Sequence, residues 1–238
     1  MFNVYMSVLT KEVRPDKALQ RHPGNEDLMN EPDVTLTDYA LALECGVFAY
    51  WLFQEGGDLD SICFWYGVFF STIAIAAFSG GTVHGYAPDE SSSVHQGLWC
   101  VTLIAVGATA WCGWIIGARA YFGDVFVTIV HWAASLVFAV YAAAVLFGAR
   151  EYSVAILHYL PSAVFLFITY CLVYRANGDY KALAGAGGLF LTLFAAVIQY
   201  RRWGLHPVYF SPNALYHAVQ AVGLFLIYWS VRCFTIPK

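Results

Sequence analysis

The segment Asn213-Ala-Leu-Tyr-His217-Ala-Val-Gln220 places a carboxamide, an imidazole and a second carboxamide at i, i+4 and i+7. A helix here would aim all three in a common direction. Such a stripe serves either as polar glue between membrane helices or as one wall of a binding or catalytic site. A second histidine, His84, ends the run Phe78-Ser-Gly-Gly-Thr-Val-His84-Gly-Tyr86, whose small residues permit close helix approach. A third apolar stretch carries Asp38 and Glu44. Six residues turn a helix by about 600°, so these two carboxylates face different sides and need different partners. Asp38 reads as a group that orients a ligating imidazole, or as a helix cap. Glu44 lies deeper, where a lone charge is expensive, and is expected to be protonated, hydrogen-bonded or paired.

Composition restricts the elements that can position these groups. Hydrophobic residues make up 60% of the 238 and charged residues 12%, whereas a soluble domain carries about a quarter charged residues. The chain therefore reads as an integral, multi-pass membrane protein. A crossing helix needs roughly 20 apolar residues, and spans are read near Leu36–Phe53, Ser61–His84, His95–Tyr121, Val125–Gly148, Ser153–Tyr174, Ala182–Tyr200 and Asn213–Phe234. Short connections with turn residues, such as Gln54-Glu-Gly-Gly-Asp and Asn177-Gly-Asp, separate them. The expected fold class is all-α, a seven-transmembrane-helix bundle over residues 36–238. Residues 1–35 form a polar arm of mixed charge containing three prolines. The arm lacks the pattern of a cleaved secretory signal, so it is expected to remain on the mature chain.

An odd number of crossings puts the two termini on opposite faces, here A for the N-terminal side and B for the C-terminal side. Lysines and arginines near span ends divide evenly between the faces, so charge assigns no orientation. Polar groups divide unevenly: Asp38, His84, His95, His158, His206, Asn213, Tyr216 and His217 all fall toward face A. Ionisable side chains that converge at membrane depth mark metal, proton or substrate sites. Plainer roles exist for several of them. His95 and His206 suit interfacial loops. His158, three residues before Pro161, suits a bond to backbone freed by the proline. His131, near face B, reads as a core histidine with a local partner, and His22 belongs to the arm.

All six cysteines fall inside the spans without a CxxC pair and read as small buried hydrophobes. The net charge of −4 comes without a basic stripe, so nucleic acid is not an expected partner. Membrane lipids and other membrane proteins are.

Seven spans, a histidine ending the second and an (H/N)-x-x-x-H pattern opening the last resemble the superfamily of alkaline ceramidases, progestin and adipoQ receptors and Per1-type lipid-remodelling proteins. The segments Thr37-Asp38, Gly80-Gly-Thr-Val-His84-Gly-Tyr86 and Asn213-Ala-Leu-Tyr-His217-Ala-Val-Gln220 more closely resemble a bacterial branch of seven-span proteins. The resemblance covers about residues 36–235. It implies a zinc ion held by one histidine of the second span and two of the seventh, with a serine and an aspartate nearby, activating water for amide hydrolysis.

Carried over by position, His84 and His217 become zinc ligands. Asn213 occupies the remaining ligand position, and Gly80, beside Ser79, occupies the serine position. Asparagine is a poor zinc ligand compared with imidazole, so the third ligand is expected in His206, with His95, His158 and Asp38 as the other candidates, unless the metal has been lost. Asp38 then serves as general base or orienting group, and Tyr216 and Asn213 as oxyanion donors. The implied activity is zinc-dependent hydrolysis of lipid amides or esters. Two other readings stay open: a non-catalytic accessory subunit or receptor on the same scaffold, and a haem-binding membrane protein, for which only His131 is available near face B.

Overall fold

The computed structural model describes residues 29–206 and 209–231. Most of the polar arm, with His22, lies outside the described residues, as does Cys233. Seven helices carry the described chain: α1 Pro32–Glu55, α2 Ile62–Tyr86, α3 Ser93–Tyr121, α4 Asp124–Leu146, α5 Tyr152–Asn177, α6 Tyr180–Arg201 and α7 Pro212–Ser230. Their starts follow local chemistry. Ser61, Ser92, Asp179 and Ser211 each accept a bond from a backbone N–H of the first turn, satisfying donors a helix start leaves free. Proline opens α1 and α7, where its missing N–H costs nothing. That proline starts α1 four residues before the expected Leu36 and draws Asp33 into the first turn. Asp38 then lies well inside the helix, so the cap reading of this residue is corrected.

Five helices, α2 to α6, are long and apolar enough to cross a membrane, as a membrane protein requires. The other two, α1 and α7, carry the polar residues of interest and close the architecture. Helices α1, α2, α3, α5, α6 and α7 pack in that order into a ring, with α7 returning to α1, while α4 stands outside against α3. Val125, Ile129, Trp132, Leu136 and Val140 of α4 are accordingly exposed. Helices α1 and α7 run parallel, because Thr37 meets His217 and Phe48 stacks on Tyr228, eleven residues further along each helix.

The two halves of the ring interior differ. Toward face B it is filled by Tyr66, Phe69, Phe70, Ile116, Leu189 and Ile227, among others. Two hydroxyl contacts cross this core between helices that are not neighbours, Tyr66 to Tyr170 at 2.6 Å and Tyr170 to Ser230 at 2.7 Å. They satisfy buried polar groups and fix α2, α5 and α7 in register. Toward face A the apolar core stops near Leu41 and Ala77, and polar side chains take over. Two close approaches set the shape. At Gly188 and Gly223 the backbones of α6 and α7 meet so tightly that a Cβ on either would strike the other's carbonyl oxygen. At Gly81, α2 lies against the side chains of Asp38 and Tyr39.

Glu44 sits midway along α1, half-buried, with no hydrogen bond or ion pair to any described residue. A carboxylate at the centre of a bilayer costs about 2.5–3.5 kcal/mol on insertion scales. Glu44→Gln, which keeps the shape and removes the ionisable proton, is therefore expected to fold and to melt no lower than wild type in detergent. A fall of more than about 4 °C, roughly 1 kcal/mol or more for a chain of this size, would reveal a partner that needs the acid.

Candidate functional site

The site lies in the face-A half of the ring, where α1, α2 and α7 meet. Side-chain exposures of 12% for His217 and 7% for Asp38 place both inside the bundle. His217 Nε2 lies 3.3 Å from Asp38 Oδ1, and Nδ1 lies 3.3 Å from Thr37 Oγ1. The first is an ion-pair separation, and the second, to the Thr37 hydroxyl, is a hydrogen bond at the long end of the usual range. Thr37 Oγ1 is also 2.9 Å from the carbonyl oxygens of Asp33 and Val34. One hydroxyl proton thus has three acceptors. When the Asp38 carboxylate accepts from Nε2–H, Nδ1 of a neutral imidazole is the acceptor facing the Thr37 hydroxyl.

Residues just before and within the first turn of α1 lace this corner together. Glu31 Oε2 pairs with His84 Nδ1 at 2.8 Å, and the Asn30 backbone N–H donates to Gly85 O at 3.0 Å. Asp33 Oδ2 accepts from the Ser211 backbone N–H at 2.8 Å. The end of α2 and the start of α7 are thereby tied to α1. His84 stands within electrostatic reach of both Asp38 and His217, so the structure brings Asp38, His84 and His217 into one corner.

The remaining expected residues spread around it. Asn213 turns to α6, where its Oδ1 accepts from Gln199 Nε2 at 3.1 Å. The Tyr216 ring lies 4.9 Å from that of His217, and its hydroxyl is within electrostatic reach of that of Tyr152 of α5. One level down, Ser79 and Thr102 join α2 to α3 at 2.8 Å. His206 is exposed in the α6–α7 loop, its Nδ1 accepting from the Tyr209 backbone N–H at 3.1 Å. His95 Nδ1 lies 2.7 Å from Ala87 O. His158 stacks on Tyr141 at 4.2 Å and reaches Gly107 O of α3 at 3.3 Å, rather than backbone freed by Pro161. His131 meets the rings of Trp65 and Trp111 edge-on at 5.6 and 6.2 Å, a local packing role.

Among the described residues, no three His, Cys, Asp or Glu side chains are arranged to hold a metal ion. His217 commits both ring nitrogens to Thr37 and Asp38, and His84 commits Nδ1 to Glu31. This arrangement does not present the three-ligand centre that catalytic zinc takes. It presents an oriented imidazole.

Two contributors escaped the sequence reading. Glu31 was assigned to the arm, although Pro32 is a helix-start signal that brings it beside α1. Tyr152 carries no sequence mark, since only ring closure brings it near Tyr216.

Fold and site together define an α-helical membrane protein with a polar His/Asp corner at one end of a six-helix ring. The chain matches the model of a family of unknown function (DUF6962) over residues 34–235 and belongs to that family. No curated protein and no solved structure matches it.

Proposed function

We propose that this protein is a seven-span membrane hydrolase of lipid amides or esters, in which His217, oriented by Asp38, is the general base. The observation that carries the reading is His217 held between Asp38 and the Thr37 hydroxyl, a base with its orienting carboxylate on one nitrogen and an oxygen on the other. The surroundings agree with it. The corner lies about one to two helical turns below the start of α1 and α7, where a lipid's acyl linkage meets the edge of the hydrocarbon. Tyr216, whose ring lies 4.9 Å from that of His217, offers a hydroxyl donor for a developing oxyanion.

A zinc-loaded form is the second reading, and it rests on His84 lying within reach of both Asp38 and His217. Those three would hold the ion, which would supply water activation, only after Thr37 and Glu31 give up their present contacts.

The test is fatty-acid release from a long-chain amide and a long-chain ester by protein purified without chelators, with metal content measured on the same sample. Hydrolysis that survives chelation and is lost in Asp38→Asn supports the oriented-base reading. Hydrolysis that disappears on chelation and returns with zinc supports the second. Absence of hydrolysis of either substrate class, with no stoichiometric zinc, would favour a receptor or accessory protein on this scaffold.

A further inference from the structure

We propose that Thr37 is the nucleophile of this site and that hydrolysis proceeds through an acyl-Thr37 ester. The inference rests on the hydrolase reading above and replaces an unspecified water with a residue of the chain.

Thr37 Oγ1, His217 and Asp38 stand in the order nucleophile, base and orienting carboxylate, with 3.3 Å on each side of the imidazole. That is the relation an activated hydroxyl requires. The contact is not fixed by sequence proximity, since 180 residues separate Thr37 from His217. It exists because α7 returns alongside α1 in parallel. Threonines inside helices commonly rest their hydroxyl on a carbonyl one turn back, and Thr37 has that option at Asp33 O and Val34 O. It differs from Thr72 and Thr102, whose other contacts are hydroxyls, in facing a ring nitrogen that can take its proton. Thr37 is half-buried rather than sealed, as a group that meets substrate must be.

The chemistry balances without a further reactant besides water. Oγ1 attacks the acyl carbonyl carbon while its proton passes to His217 Nδ1, and Asp38 stabilises the imidazolium through Nε2–H. Collapse of the tetrahedral adduct breaks the bond to the amine or alcohol, which leaves with the proton from Nδ1. Water then attacks the Thr37 ester, gives a proton to Nδ1, and releases the fatty acid as that proton returns to Oγ1.

The experiment treats the full chain in detergent with a long-chain alkyl fluorophosphonate, in which an Oγ1–P bond forms as fluoride leaves, and locates the adduct by peptide mass spectrometry. The same preparations are assayed for ester hydrolysis as wild type, Thr37→Val and Thr37→Ser, with thermal unfolding confirming that each is folded. The expected result is an adduct on Thr37 and a fall of at least about a hundredfold in Thr37→Val, the scale of losing one catalytic group. Thr37→Ser, which restores the hydroxyl, should recover labelling and most of the rate. Wild-type labelling elsewhere or not at all, or Thr37→Val hydrolysing within a few-fold of wild type, overturns the nucleophile while leaving the oriented base intact. A Thr37 adduct in a protein that hydrolyses nothing would instead remove the hydrolase reading and keep the activated threonine.

Discussion

His217→Ala is expected to lower hydrolysis of a long-chain amide or ester by about 10²–10⁴-fold, the usual contribution of a positioned general base. The loss should appear in kcat, because the imidazole acts on the reacting oxygen rather than on the acyl chain. His206→Ala should leave the rate within a few-fold of wild type, since its ring lies in the exposed α6–α7 loop against Tyr209. The pair separates the two arrangements cleanly. Equal losses in both variants would mean that the loop closes over the corner and that His206 joins His217 in the active form. Thermal unfolding is needed alongside, because removing the imidazole leaves the buried Asp38 without its partner, a change that costs stability on its own account.

The second large effect concerns neighbouring glycines that differ only in what they face. A Cβ at Gly81 would lie 2.8 Å from Asp38 Cβ and 3.2 Å from the Tyr39 ring, whereas one at Gly80 would lie 3.7 Å from Thr102 Cγ2 and 3.9 Å from Asp38 Oδ2. Gly81→Ala must therefore push α1 away from α2, at about 1–3 kcal/mol for overpacking, and it displaces Asp38 from His217 as it does so. Gly80→Ala meets only ordinary contacts and gains helix propensity of up to about 1 kcal/mol. Melting temperature and hydrolysis measured on both variants check the contrast. Gly81→Ala as stable and active as Gly80→Ala would show that α1 and α2 are not held at this distance.

Helices were legible because hydrophobic length and turn residues are local properties. The expected bounds match helices α1 to α7 to within a few residues, apart from the α1 start, which Pro32 moved, and the end expected at Phe234, which lies outside the described residues. The common level of Asp38, His84 and His217 along the bundle was also legible, because alternating helix direction and rise per residue place a side chain along the bundle axis. Their neighbours around that axis were not. His158 shares the depth, yet it faces α3 and Tyr141; Asn213 shares the stripe with His217, yet it pairs with Gln199 on α6.

By itself the sequence determined an all-helical membrane protein with a polar layer near one face, since the cost of exposing polar backbone to hydrocarbon leaves few alternatives. Only the tertiary structure decided that six helices close a ring while α4 stays outside, and that α7 lies parallel to α1 with His217 between Thr37 and Asp38. Ring order depends on small-residue approaches such as Gly188 on Gly223, which are pairwise properties of distant segments. No periodicity within one segment records which other segment will meet it.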